Sequence, residues 1–200
     1  MNIEQASAVE VWRGPGSAVL GGNAMKGAIN VITRMPEATR VGVEGGSYGH
    51  GQIRLESRTE VGGFEWGVTA NATHADGYQS QTGLEQYKLN SVLEGLLGEW
   101  EMRATVSGTV LHQETAGFVV GTDAYEDGAL RRSNPNPEAF RDAWSGRLAV
   151  QLNRDAWTIT PYARRSQMNF IQHFLVGKPM EDNDQSSAGV IVGHRFKAGA

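Results

Sequence analysis

The sequence predicts an all-β protein. Its larger part reads as the antiparallel wall of a transmembrane β-barrel, preceded by a short segment of different character. Three observations carry this: a glycine-rich composition without a helical span, period-two alternation along most of the chain, and connections that alternate between tight and long. Glycine accounts for 26 of 200 residues, nearly double the usual ~7%. Mean hydropathy is below zero, and no apolar run approaches the ~20 residues of a membrane-spanning helix. Composition alone leaves two classes, a soluble all-β protein and a membrane barrel whose strands need only one apolar face. Cysteine is absent, which excludes a disulfide scaffold, a zinc ribbon and a thiol nucleophile. The net charge of −4 and the lack of a basic cluster exclude a nucleic-acid partner.

The texture changes near Pro36, giving an expected division into 1–37 and 38–200. The first part holds a short strand candidate, Val9-Glu10-Val11-Trp12, then a Gly-rich turn at Arg13-Gly14-Pro15-Gly16-Ser17. A β-branched strand follows, Gly27-Ala28-Ile29-Asn30-Val31-Ile32-Thr33, of the composition strands favour. The opening residues show no basic-then-apolar leader, and the closing ones stop just past a strand-like segment. Both ends suggest a piece of something larger.

After Pro36, Phe64, Trp66, Val68, Ala70 and Ala72 alternate with Glu65, Gly67, Thr69, Asn71 and Thr73. Trp100, Met102, Ala104 and Val106 alternate with Glu101, Arg103, Thr105 and Ser107. Side chains of a strand point to opposite faces in turn, so each segment is a strand with one apolar and one polar side. The same reading places about eight strands near 39–46, 50–60, 64–75, 87–97, 99–112, 144–153, 156–168 and 188–196. Tight turns fall at Gly62-Gly63, at Gly98 and at Arg154-Asp155. The stretches 76–86, 113–143 and 169–187 are long and polar, and the connection near 47–49 is short. Tight turns at one end and longer loops at the other are the habit of outer-membrane barrels. The aromatics fit the same reading. Phe64, Trp66, Trp100 and Trp157 follow tight turns, while Tyr78, Tyr87, Trp144 and Phe170 adjoin the long loops. Amphipathic rings favour the membrane–water boundary, so two belts are expected at the two strand ends. The rival for these rings is the core of a soluble β protein.

Chemistry is sparse. Gly14 to Gly22 imitates a phosphate loop, but Gly22-Asn23 stands where Lys and Ser/Thr are required, so tight turns are the better use of these glycines. His50, His74, His112, His173 and His194 lack zinc-motif spacing. Asn71-Ala72-Thr73 is a glycosylation sequon by letter only, because it lies within a strand. The acids near 123–127 and 181–184 lack the spacing of a calcium loop. Arg131-Arg132 and Arg164-Arg165 could hold an anion, with ordinary surface pairing as the plainer role. No nucleophile–base pair is legible, so no enzyme, metal or cofactor is expected.

The run from Val9 to Ala24, with Arg13-Gly14-Pro15-Gly16 at its centre, and Gly27 to Arg34, with Gly27 and Asn30, resembles the end of the plug domain of TonB-dependent outer-membrane receptors. That family shows "VEVLRGP", a small-residue "SALYGSNA" stretch and a "GGVINIIT" strand in this order. The departures are Trp12 for an aliphatic residue, Val19-Leu20-Gly21-Gly22 for the aromatic-containing run, and Met25-Lys26 before Gly27. The resemblance implies the last part of a plug over 1–37 and about 8 strands of a barrel of about 22 over 38–200. It also implies a Gram-negative outer-membrane location, outer-membrane lipid as surroundings, and TonB as partner through a segment missing here. The cargo would be a scarce nutrient complex, most simply a ferric chelate such as a ferric siderophore, with cobalamin, haem and sugars as other classes. The loops 113–143 and 169–187 would carry ligand contacts, and such a fragment alone would not transport. Two alternatives stand beside this: a closed eight-stranded barrel serving adhesion or structure, and a soluble β-sandwich binding module. The sandwich requires Trp66 and Trp100 in a protein core, and the closed barrel requires the first and last strands to pair.

Overall fold

The computed structural model describes residues 6–15 and 25–196. The chain divides into two compact units, Met1–Met35 and Pro36–Ala200. Within the first, β1 (Ala6–Arg13) pairs antiparallel with β2 (Gly27–Thr33). The intervening Gly16 to Ala24, which includes most of the phosphate-loop imitation, lies outside the described residues.

The second unit is one antiparallel sheet in which every strand pairs with its sequence neighbours. Its strands are β3 (Arg40–Gly45), β4 (Gly51–Val61), β5 (Phe64–Ala75), β6 (Leu84–Leu97), β7 (Trp100–Glu114), β8 (Phe140–Arg154), β9 (Trp157–Ile171) and β10 (Met180–His194). The sheet order runs from β10 to β3 without crossover, and β3 and β10 are not paired with each other. It is therefore open, which removes the closed eight-stranded alternative. Among the described residues no helix is long and apolar enough to cross a membrane.

The tight connections occupy one end. Gly62 and Gly63, with φ of 59° and 82°, join β4 to β5 in the left-handed conformation that two-residue hairpins demand. Residues 98–99 and 155–156 join β6 to β7 and β8 to β9, with Gly98 and Asp155 at φ of 62° and 53°. The connections 46–50, 76–83, 115–139 and 172–179 lie at the other end.

Three strands begin earlier than their alternation suggests. β6 starts at Leu84 rather than 87, β8 at Phe140 rather than 144, and β10 at Met180 rather than 188. The expected long loop 169–187 is correspondingly cut to 172–179. In the first turns of β10, Glu181 through Ser187 are polar on both faces, yet each residue keeps its place in the ladder with β9. Backbone pairing needs no apolar face, so the strand continues past the point where the pattern ends.

Candidate functional site

In the first unit the registered pairs explain the two residues singled out in β2. Gly27 lies opposite Arg13 with φ +149°, and a Cβ there would stand 2.4 Å from the Trp12 carbonyl oxygen. Only glycine allows that approach. Asn30 lies opposite Glu10 and its Nδ2 donates to Glu10 Oε2 at 3.0 Å. Arg13 ends β1, the Gly14 N–H donates to the Lys26 carbonyl at 3.2 Å, and Pro15 follows exposed. Gly16 is outside the described residues.

In the sheet, residues registered against one another share a face, and the two faces are inverted relative to a water-soluble sheet. The buried polar residues Glu56, Thr69 and Asn71 (4% exposed) lie on the polar face. The apolar face is the open one, with Val43 79%, Ile53 57% and Trp66 42% exposed. A soluble sandwich buries its apolar face, so this arrangement speaks against that alternative. Arg103, Thr105 and Thr109 take the polar face, as the alternation requires.

Of the singled-out aromatics, Phe64, Trp66, Trp100, Trp157, Tyr87 and Trp144 stand on the apolar face, in two groups, and Tyr78 lies in the 76–83 connection. Phe64, Trp66, Trp100 and Trp157 lie toward the tight turns. Phe64 covers Gly95, where a Cβ would come within 2.5 Å of the ring. The Trp66 indole donates to Ser91 Oγ at 2.8 Å. Arg154 stacks over Trp100 at 6.0 Å, and Trp157 meets His194 edge-on at 4.4 Å. Toward the longer connections, Trp144 shares a row with Tyr87 and Val110. Its indole donates to Gln167 Oε1 at 3.2 Å, so each of these two indole N–H groups is satisfied by a cross-strand side chain. Phe170, by contrast, registers with Arg141 and Glu181 on the polar face.

The apolar face is stepped. On β4 to β8 it stays mainly apolar, with Ser57, Thr59 and Ser91 among its residues, up to the row of Tyr87, Val110 and Trp144. On β9 and β10 that level is taken by Gln167, Asp184, Arg165 and Ser186, and the apolar rows begin at Ala163 and Ala188. Arg165 forms a two-armed ion pair with Asp184, 2.7 and 3.3 Å, and its guanidinium lies 5.9 Å from the Trp144 ring.

The longer connections form a linked series. The Asp76 N–H donates to the Tyr48 carbonyl at 2.8 Å, and Tyr48 meets Tyr78 edge-on at 5.4 Å. The Ser80 N–H donates to the Arg132 carbonyl at 2.8 Å, and Asn134 Nδ2 to the Gln81 carbonyl at 2.9 Å. Lys178 Nζ reaches Glu138 at 2.5 Å, holding its carboxyl below the usual range. Asp127 precedes a short 3-10 turn, Leu130–Arg132. The backbone N–H groups of Leu130 and Ala129 hold its carboxyl low as well. The surface of this series carries exposed apolar groups, among them Phe118, Val120, Tyr125, Phe174 and Val176.

The remaining candidates separate. Among the described residues no group of three or more His, Asp or Glu is placed to hold a metal. Asn71 of the sequon is buried within β5. Arg164 and Arg165 point to opposite faces, so the doublet is not one site. Sequence reading missed that Arg164 lies opposite Arg147, a pairing visible only once the β8–β9 register is known.

No protein-family model and no curated protein sequence matches the chain. Solved structures do match. The siderophore receptor PiuA from Acinetobacter baumannii aligns with 98% of this chain over 33% of its own, with TM-score 0.71 and 15% identity. The ferric-catecholate import receptor Fiu from E. coli K12, in its closed form, aligns with 93% of this chain over 32% of its own, with TM-score 0.64 and 14% identity. The chain thus spans about a third of the length of these receptors. Its eight-stranded antiparallel sheet has the fold of part of a TonB-dependent receptor barrel.

Proposed function

We propose that this chain is part of an outer-membrane receptor for energised uptake of a scarce nutrient complex, most simply a ferric siderophore, in a Gram-negative bacterium. The observation that carries the reading is the inverted sheet, polar where buried and apolar where open, in the fold of two solved iron-chelate receptors.

The aromatic rows support a membrane setting. Trp144 stands ten residues from Arg154 on β8, and Arg154 shares its row with Trp100 and Trp157. At ~3.3 Å per residue and a strand tilt of about 40°, the rows are about 25 Å apart, the height of an outer-membrane barrel's apolar band. Phe64 and Trp66 fall just inside the lower row. In this reading 38–200 is the first part of the barrel and its apolar face meets outer-membrane lipid. Residues 1–37 are the end of the plug, with Arg13, Gly14, Pro15, Gly27 and Asn30 shaping its last turn and strand. TonB would act through a segment outside this chain. The linked outer connections, with their exposed aromatics, are where a ferric chelate would first touch. No covalent step is involved.

β3 and β10 each leave one edge unpaired among the described residues. In lipid every unsatisfied backbone group costs several kcal/mol, so strands beyond these two are required on both sides. The chain by itself is therefore transport-incompetent in this reading.

The test uses the full-length protein that carries this chain, produced in a Gram-negative host deprived of its own iron-chelate receptors. The expected result is fractionation with the outer membrane and uptake of a labelled ferric siderophore that stops when the proton gradient is collapsed. A water-soluble product, or membrane insertion without uptake of any ferric siderophore offered, overturns the proposal.

A further inference from the structure

Arg147 on β8 and Arg164 on β9 are registered directly opposite each other on the polar face. Side chains so placed have Cβ atoms about 4.5–5.5 Å apart, and like charges there repel. Arg164 Nε donates to Ser187 Oγ at 2.7 Å. Among the described residues neither arginine has an acidic partner. This contrasts with Arg58 and Arg103, which pair with Glu65 and Glu94 on the same face.

Two further features converge on the pair. One row outward lies a concavity of about 360 Å³ whose lining includes Thr109, Ser145, Ser166, Gln185 and Met168. It offers hydroxyl and amide groups over a small apolar floor. Charge is also sorted along the face. The two central rows hold Arg40, Arg54, Lys88, Arg147 and Arg164 against a single acid, Glu56. The rows nearer the tight turns hold Glu60, Glu65, Glu94 and Glu101 against Arg58 and Arg103.

We propose that Arg147 and Arg164, with the adjoining concavity, form a binding site for a small anion bearing carboxylate or phosphate groups. Two guanidinium forks side by side suit one planar carboxylate or phosphate, each able to donate two N–H bonds. An anion between them turns cross-strand repulsion into attraction. The hydroxyls and amides of Ser145, Ser166 and Gln185 receive the neutral remainder of the molecule. In the receptor reading this makes the cargo anionic, and the site faces it from the barrel wall. The anion site itself stands on the sheet alone and does not need that reading.

The test uses the full-length protein carrying this chain, in detergent micelles, with citrate and inorganic phosphate as probes. Ligands that bind only the folded state raise its melting temperature. Citrate and phosphate are expected to raise it in the unaltered protein. Arg147→Gln and Arg164→Gln, singly and together, are expected to weaken binding by about tenfold or more, the loss of a hydrogen-bonded charge. Arg165→Gln, on the opposite face, leaves anion binding unchanged. A response to citrate alone assigns the site to carboxylates, and a response to phosphate alone to phosphates. The proposal is overturned if neither anion stabilises the protein, or if Arg147→Gln and Arg164→Gln bind as well as the unaltered chain. It is also overturned if Arg164→Gln destabilises the protein in the absence of any anion response, since an internal acid would then be the partner. An anion response without siderophore uptake sinks the receptor proposal and leaves this one standing.

Discussion

A charge placed on the apolar face discriminates between lipid and water as its surroundings. Leu148 lies on that face at the middle of β8, near the midpoint between Trp144 and Arg154, and is 46% exposed. Facing lipid, an arginine at the bilayer midplane costs about 2–4 kcal/mol, or roughly a 30- to 1000-fold fall in the folding equilibrium. Facing water, the same substitution at a half-exposed leucine stays within about 0.5 kcal/mol. Two controls fix the interpretation. Val110 shares the row of Trp144, at the interface, where arginine costs about 0–1 kcal/mol. Gln151 is three residues from Leu148 but on the polar face, opposite Arg103, and Gln151→Arg should cost no more than the repulsion of that cross-strand pair, about 0.2–1 kcal/mol. The assay is urea titration of the full-length protein refolded into lipid vesicles, followed by tryptophan fluorescence. Leu148→Arg is expected to lose the most, with Val110→Arg and Gln151→Arg both well below it. A neutral Leu148→Arg, or a Gln151→Arg as costly, refutes the assignment of the faces.

Other perturbations test particular contacts. Gly95→Val drives a side chain into the Phe64 ring, and overpacking of this kind costs about 1–3 kcal/mol in the same titration. Gly27→Ala forces a Cβ against the Trp12 carbonyl and should speed hydrogen exchange across β1 and β2. Asn30→Ala should do so more mildly, through loss of a cross-strand pair worth about 0.2–1 kcal/mol. Glu138 has its pKa depressed by Lys178. Its contribution to holding 115–139 against 172–179 is thus present above the ordinary glutamate range and lost as pH falls through the depressed value. Limited proteolysis with an acid-active protease should show these connections opening over that acid window, and Lys178→Met should abolish the dependence.

The sequence made the strands legible where one face is apolar and the other polar. β5 is expected at 64–75 and found there, because Phe64 to Ala72 alternate without interruption. The beginnings of β6, β8 and β10 were illegible for one reason. Beyond the row of Trp144 the apolar–polar alternation breaks, with Glu85, Gln86, Arg141 and Asp142 placing polar groups on both faces, and only the backbone ladder shows that Asp182, Asn183 and Asp184 are strand rather than loop. The motif at 27–33 was legible as a pattern, but the reason for its glycine, the Trp12 carbonyl, comes from the strand opposite. The Arg147–Arg164 pair was hidden in the same way. The two stand seventeen positions apart in the chain, and only the β8–β9 register sets them side by side.

The step in the apolar face gives the wall two hydrophobic thicknesses. Ala163 stands six residues from Trp157 along β9, about 15 Å of height at the same tilt, against about 25 Å on the strands before it. A bilayer that must match both edges thins or disorders beside β9 and β10, at a cost of fractions of a kcal/mol per Å of mismatch. Lipid order measured with probes attached beside β10 should be lower than beside β5. In the proposed membrane setting the lipid around the sheet is then not a uniform ring. In that setting it would have a soft side, beside the arginine–aspartate pair.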